Sequence, residues 1–152
     1  REALQNKDKK LLLDAFTKFV LSQTEEPKRI SLPVEIFVRK LGPLEAICKY
    51  LKENLHISYR KIASLINRDE RTIWSSFHNA NKKLQSCFII KNSKLLIPIS
   101  IVSNRKLSTL ENIIVYLKEK LGLRFTDISK LLNRSQQNIL TSYKRSRKKN
   151  AE

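Results

Sequence analysis

The sequence contains little of what several fold and function classes require. In 152 residues there are two glycines and four prolines, too few for a loop-rich or all-β protein. The two cysteines, Cys48 and Cys87, cannot form a disulfide framework, and with the two histidines they show no metal-ligand spacing. No apolar run approaches the roughly 18 residues of a membrane span, and no basic-then-apolar leader is visible. We therefore expect no membrane partner, no metal and a reducing compartment.

Residues for catalysis are equally sparse. The only glycines, Gly42 and Gly122, cannot form a glycine-rich phosphate loop. Cys48 falls on the buried side of its predicted helix, which favours a structural role over a nucleophilic one. His56 is expected in a loop and His78 on a polar face. The sequence predicts neither an enzyme nor a cofactor. Because methionine is absent and the chain opens at Arg1, we expect that a preceding segment is missing.

Positive charge is abundant. There are 31 Lys and Arg against 14 Asp and Glu, giving a net charge of +17 and an isoelectric point near 10.1. The excess grows toward the C-terminus, which ends in the basic run 144–149. Solubility alone needs a net charge of only about 2–8. A polyanion is therefore the expected partner, and nucleic acid is favoured over acidic lipid. This predicts a cytoplasmic, nucleoid-associated protein.

An internal repeat organises the chain. Residues 41–83 align with 107–149 at a constant offset of 66, and 17 of the 43 pairs are identical. Upstream, Pro33-Val-Glu-Ile matches Pro98-Ile-Ser-Ile once one extra residue is allowed in the second copy. A duplication of this kind predicts that each copy is a small folding unit.

Each copy is predicted to contain three helices, from apolar residues at helical spacing. Their expected bounds are 43–55, 58–66 and 70–83 in the first copy, and 109–121, 124–132 and 136–147 in the second. Asn67 and Asn133 suit the left-handed conformation that ends a helix. Ser58 is a candidate cap, and Ser108 with Glu111 forms a capping box. Glu45 and Lys49 are expected to pair on the outer face.

The segment Ser58-Tyr-Arg-Lys-Ile-Ala-Ser-Leu-Ile-Asn-Arg-Asp-Glu-Arg-Thr-Ile-Trp74 resembles the C-terminal helix-turn-helix of bacterial sigma factors, region 4. Ala63, Asn67 and Ile73 match that family's small–turn–apolar signature, and the second copy repeats it with Ser129, Asn133 and Ile139. The resemblance covers 41–84 and 107–149. Asn replaces the usual turn glycine, and Arg68 and Arg134 stand where a small apolar residue is common. No polymerase-binding region is visible, so the resemblance implies the module and not a sigma role.

The predicted fold is mainly α, with two tandem three-helix helix-turn-helix units, an N-terminal helix and a short extended or hairpin linker. Its four expected parts are an N-terminal amphipathic helix and linker at 1–29, unit 1 at 30–84, a linker with a candidate β-hairpin at 85–100, and unit 2 with a basic tail at 101–152. The helix at 2–22 carries an apolar stripe of Leu12, Phe16, Phe19 and Val20. We expect it to pack on unit 1; the alternative is a homodimer or a protein partner docked there. Residues 24–28 are expected to be a linker.

In a helix-turn-helix the third helix enters the major groove and its exposed face touches base edges. The candidates for base contact are Arg71, Thr72, Ser75, His78, Asn79, Gln136, Gln137, Asn138, Thr141, Lys144 and Arg145. The candidates for phosphate contact are Arg68, Lys82, Lys83, Arg134, Arg147, Lys148 and Lys149. Trp74 is expected to pack at the edge of the core rather than to stack on a base.

These features predict a sequence-specific double-stranded DNA-binding protein, acting as a transcription regulator or as a DNA-targeting module. The third helices of the two units differ, which predicts a bipartite, non-palindromic site, with half-sites roughly 10 bp apart if both units lie on one face of the duplex. The alternative is a structured-RNA or ribosome-associated protein that uses the same basic helices. A third hypothesis makes one unit a protein-docking surface.

Overall fold

A computed structural model describes residues 2–24 and 30–152. The chain forms two compact units, the first reaching to Ile30 and the second spanning Ser31–Glu152. Of the predicted linker at 24–28, all but Thr24 lies outside the described residues.

The first unit is helix α1, Glu2–Thr24, close to the predicted 2–22. Leu12, Phe16 and Phe19 are 60–70% exposed, as are their neighbours Leu11 and Leu13 at 63–65%. Successive helical residues point about 100° apart, so these apolar side chains spread beyond one stripe. The Val20 side chain lies outside the described part. The docking role of this helix stays a prediction.

The second unit holds both repeats, and it is mainly helical, as predicted. The first copy consists of β1 (Ser31–Pro33), a 3₁₀ turn (Val34–Ile36), α2 (Pro43–Lys49) running on into a π-helical turn (Tyr50–Asn54), α3 (Tyr59–Ile66) and α4 (Glu70–Lys83). The second copy consists of β2 (Leu96–Pro98), a 3₁₀ turn (Ile99–Ser103), α5 (Thr109–Val115) with a π-helical turn (Tyr116–Lys120), α6 (Phe125–Leu132) and α7 (Gln136–Ala151). Helix α7 continues beyond its predicted end at 147, so the basic run is helical.

Local capping chemistry sets the helix starts. The Ser58 Oγ accepts a hydrogen bond from the Lys61 amide at 3.2 Å, which confirms that cap. The Ser108 hydroxyl accepts from the Glu111 amide at 3.2 Å, and the Glu111 carboxylate accepts from the Ser108 amide at 3.3 Å. These reciprocal bonds confirm the capping box.

The turns between helices need left-handed backbone at matching positions. Asn67 and Asn133 end α3 and α6 with φ of 53°, as predicted. His56 and Gly122 precede α3 and α6 with φ of 54° and 65°. The second copy supplies glycine, which adopts this conformation without steric cost, whereas the first uses a histidine.

The core of each copy lies where its three helices meet. Helix α4 packs on α2 and α3, and α7 packs on α5 and α6. Ile73 and Ile139 on the third helices are fully buried, and so are the small residues Ala80 and Ser146 two turns further along the same face. Their small side chains let the third helix approach the first closely.

The predicted hairpin within 87–102 is wrong. Strand β2 pairs instead with β1, antiparallel, with Leu32 opposite Ile97. That pairing buries both side chains completely, whereas Ile89 in the expected first strand is 87% exposed. Residues 86–90 form no strand, and the Phe88 carbonyl accepts a hydrogen bond from the Asn54 Nδ2 at 2.8 Å. Apolar burial between the copies therefore outweighs local pairing.

The expected Glu45–Lys49 pair is also wrong. Lys49 is fully buried, and its Nζ donates to the Glu53 carboxylate at 2.8 Å and to the Asn81 Oδ1 at 3.1 Å. Glu45 accepts instead from the Gly42 amide and from the Lys83 Nζ, both at 2.8 Å. Lys49 stands four residues from both carboxylates, and burial beneath α4 selects the one that it meets.

Candidate nucleic-acid interface

The third helix of each copy begins directly after a left-handed asparagine turn. The Ser135 Oγ caps α7 by accepting from the Asn138 amide at 3.2 Å. The equivalent Asp69 precedes α4 but makes no side-chain cap bond. Only the first turn of α7 is thus held by a side chain of the turn before it.

Most predicted base-contact residues lie on these outward faces. Nine of the eleven are exposed, and His78 and Thr141 are half-buried. The exposed nine are Arg71, Thr72, Ser75, Asn79, Gln136, Gln137, Asn138, Lys144 and Arg145. The two buried anchors, Ile73 and Ile139, hold the opposite sides of the helices in the core. Each helix therefore presents a mainly polar face, which on α4 also carries the exposed Trp74.

The two faces differ in charge. Helix α4 carries three Lys and Arg, one Glu and one His, whereas α7 carries five Lys and Arg with no acidic residue. Asn138, Thr141 and Arg145 line a depression of about 350 Å³, and its other lining residues are Leu110, Arg134 and Ser142. This surface can offer amide and guanidinium groups to one ligand at the same time.

Trp74 is not at the edge of the core. It is 51% exposed, and its ring stacks on that of His78 with centroids 3.7 Å apart. The His78 Nδ1 lies 2.8 Å from the Trp74 carbonyl oxygen, which holds the two rings together. The expected packing at the core edge is wrong because the spacing along α4 turns Trp74 toward solvent while Ile73 faces inward. The result is an exposed aromatic platform on the first copy.

The five predicted phosphate contacts near the ends of the third helices divide into two groups. Lys83 and Lys149 form ion pairs with Glu45 at 2.8 Å and Glu111 at 3.0 Å. These pairs tie the end of the third helix to the start of the first. Lys82, Arg147 and Lys148 are exposed near the same helix ends. The Arg147 guanidinium also contacts the Tyr143 hydroxyl at 3.3 Å.

The two turn arginines contact backbone of their surroundings. Arg134 donates to the Leu41 carbonyl at 2.9 Å and to the Arg39 carbonyl at 3.4 Å, which links the copies. Arg68 donates to the Ile66 and Asn67 carbonyls at 3.4 and 3.3 Å. Burial and, second, the charge of nearby Arg105 lower the pKa of the Arg68 guanidinium. Both turns therefore bring arginines of the two copies together.

Three cations that sequence reasoning missed lie beside these turns. Arg39 and Lys130 line a depression of about 320 Å³ with Arg134, and its other lining residues are Ser129, Asn133 and Ser135. Arg105 is the counterpart of Arg39 in the other copy. The repeated dipeptides Arg39-Lys40 and Arg105-Lys106 could have pointed to Arg39 and Arg105, because they extend the 66-residue offset upstream of the aligned block.

Groups suited to other chemistry are few in the described part of the chain. Cys48 is fully buried, as predicted, and burial raises the pKa of its thiol to about 12. It therefore stays protonated at neutral pH. Over residues 2–24 and 30–152 no three His, Cys, Asp or Glu side chains group as metal ligands would. None of the helices described combines the length and apolar character required to cross a bilayer.

Comparison with protein-family models, curated proteins and solved structures found no match to the chain. The functional argument therefore rests on the arrangement of these residues.

Proposed function

We propose that the chain is a sequence-specific double-stranded DNA-binding protein with two helix-turn-helix modules, α2–α4 and α5–α7. In each module a short second helix, a left-handed asparagine turn and a longer third helix follow one another. A third helix of this kind suits the major groove, where its first turns reach base edges. The role we propose is that of a transcription regulator or a DNA-targeting module.

The observation that carries the proposal is the outward face of α7. It combines four exposed cations, no carboxylate and an exposed amide-bearing start, Gln136, Gln137 and Asn138. Cations attract phosphates and release their counterions, and side-chain amides can form paired hydrogen bonds with adenine. A surface needed only for solubility would gain nothing from placing amides and cations in this order along one helix.

The test is selection of duplexes from a random pool by the full chain, followed by affinity measurement at several salt concentrations. We expect an enriched site and a log–log salt slope of several units, since each neutralised phosphate contributes about 0.9. Gln137→Ala should lower affinity for the enriched site more than for random duplex. The exposed Thr126→Ala, outside the candidate contact set, serves as a matched control. No enrichment over random sequence would contradict sequence-specific binding.

A second candidate, structured RNA, draws support from the exposed Trp74–His78 stack. Unpaired bases stack on aromatic side chains, and such bases occur in RNA loops more than in duplex DNA. Competition between a DNA duplex and a looped RNA at matched salt separates the two candidates. Preference for the RNA that Trp74→Ala abolishes, with Gln137→Ala harmless, would favour the RNA function.

A further inference from the structure

Two side-chain hydrogen bonds between the copies are reciprocal. The Asn133 Nδ2 donates to the Phe37 carbonyl at 2.8 Å, and the Asn67 Nδ2 donates to the Ser103 carbonyl at 3.3 Å. Donors and acceptors in the two bonds are each separated by 66 residues, the offset of the repeat. In these two bonds each copy therefore makes the same contact with the other.

The strand pair repeats this relation at its centre. Leu32 precedes Pro33 as Ile97 precedes Pro98, so the two are equivalent, and they lie directly opposite each other. On either side Ser31 faces Pro98 and Pro33 faces Leu96, which exchanges equivalent positions. A residue that faces its own counterpart in an antiparallel pair lies on a local two-fold axis.

Helix packing around the strands follows the same rule. Helix α3 packs on the second 3₁₀ turn, and α6 packs on the first. Helices α2 and α5, which are counterparts, contact each other. Most described contacts of this interface thus occur either between counterparts or twice, in exchanged roles. An exception is Arg134, which bonds to the Arg39 and Leu41 carbonyls, whereas Arg68 bonds within its own copy. This is the pattern of an isologous interface in a two-fold dimer, here built within one chain.

A two-fold axis has a consequence for DNA, because a duplex carries its own two-fold axes perpendicular to its length. Two modules related in this way meet a duplex equivalently only when the two kinds of axis coincide. Their third helices then read the two strands in opposite directions. Two modules repeated by translation would instead read a direct repeat.

We propose that the target of this chain is an inverted repeat with two unequal halves. The proposal rests on the DNA-binding function proposed above. The halves are unequal because the outward faces of α4 and α7, here called the reading faces, differ at matching positions. Arg71 aligns with Gln137, and His78 and Asn79 align with Lys144 and Arg145 of α7. One chain therefore acts as a covalently linked heterodimer whose orientation on the site is unique.

Directed cleavage tests the orientation without knowledge of the half-sites. Arg60→Cys and Thr126→Cys place a thiol at matching, exposed positions of α3 and α6. In a Cys87→Ser background an iron–EDTA reagent reacts there, since Cys48 is buried. Each conjugate is bound to the selected duplex, and cleavage is mapped on both strands. The unconjugated parent, Cys87→Ser, controls for folding and binding.

An inverted arrangement predicts two cleavage centres at mirror positions about the middle of the protected region. One centre inside and one at the outer edge would mean a direct repeat and would overturn the proposal. Cleavage from only one of the two conjugates would also overturn it, since one module would then be off the duplex. Failure of the unconjugated parent to bind any duplex would instead contradict the proposed function itself.

A second measurement uses affinity. One half of the selected site is reversed in place, which converts an inverted repeat into a direct one while spacing and base composition are kept. We expect the reversed duplex to bind at least tenfold more weakly. Equal or tighter binding of the reversed duplex would overturn the inverted-repeat proposal and leave DNA binding intact.

Discussion

The two copies share their scaffold and differ where they meet solvent and where they bury charge. In both, a lysine at the end of the third helix pairs with the glutamate that caps the first: Lys83 with Glu45 and Lys149 with Glu111. In the first copy only, a lysine is fully buried beneath α4, at Lys49, where the second has the partly buried Val115. The comparison separates what the fold requires from what each copy does with it.

The buried lysine gives the largest expected difference between the copies, which is a difference in the free energy of unfolding lost on substitution. Lys49→Ala removes the cation that the Glu53 carboxylate and Asn81 share. Breaking one side of a buried pair costs about 3–5 kcal/mol, because the remaining charge stays without a partner. The matched change Val115→Ala removes only partly buried apolar surface and should cost about 1 kcal/mol. Thermal and denaturant unfolding of the full chain, followed by circular dichroism, measures both.

A double variant sharpens that result. Lys49→Met with Glu53→Gln removes both charges and keeps the volume, so it should recover much of the stability lost in Lys49→Ala. If Lys49→Ala and Val115→Ala were equally destabilising, the buried pair would have no special role in the first copy.

The reading faces of α4 and α7 give the next largest expected difference, in affinity and base preference for the selected site. Arg71→Ala and Asn138→Ala should each cost about 1–3 kcal/mol on the selected site and relax base preference within one half only. The affected halves should be different for the two variants, because the residues lie on different modules. Binding to a panel of single-base substitutions across the site measures this. If both variants relaxed the same half, the assignment of one module to each half would be wrong.

Much of the scaffold follows from sequence alone. Each helix within the copies was predicted to within a few residues of its start, because caps, apolar spacing and two independent copies agree. The left-handed turns at Asn67 and Asn133 follow from asparagine's tolerance of that conformation. The alternation of buried Ile73 with exposed residues also follows from helical spacing.

The relation between the copies does not follow from that pattern. An offset of 66 identifies two units, but it leaves the strand β2 free to pair locally or with β1. Lys49 illustrates the same difficulty within one copy, because Glu45 and Glu53 are equally spaced from it and only packing decides between them. Trp74 was placed at the core edge on residue type, while the geometry of α4 turns it outward.

Removing the reciprocal asparagine bonds should lower the stability by less, and by different amounts in the two copies. Asn133→Ala loses a 2.8 Å bond to Phe37 and places alanine in a left-handed turn, and together these should cost about 1–2 kcal/mol or slightly more. Asn67→Ala loses a longer bond, 3.3 Å, to Ser103 and should cost less. Glycine at either position keeps the turn and removes only the bond, so Asn133→Gly isolates the link between the copies. Unfolding free energies of the four variants measure these differences.

The ion pairs common to both copies give the smallest effect. Lys83→Ala and Lys149→Ala should each cost about 0.2–1 kcal/mol, because pairs near the surface are screened by solvent. Lys149 should cost more than Lys83, since its Nζ lies 3.0 Å from both oxygens of a carboxylate that is only 7% exposed, whereas Glu45 is 15% exposed. Lys82→Ala and Lys148→Ala remove the same charge one position earlier and leave the pairs intact. Unfolding free energies are measured at low and high salt. We expect high salt to reduce the stability lost in Lys83→Ala and Lys149→Ala toward that of the two controls. A salt-independent cost would mean that these lysines stabilise the helix ends through packing of their apolar stems and not through charge.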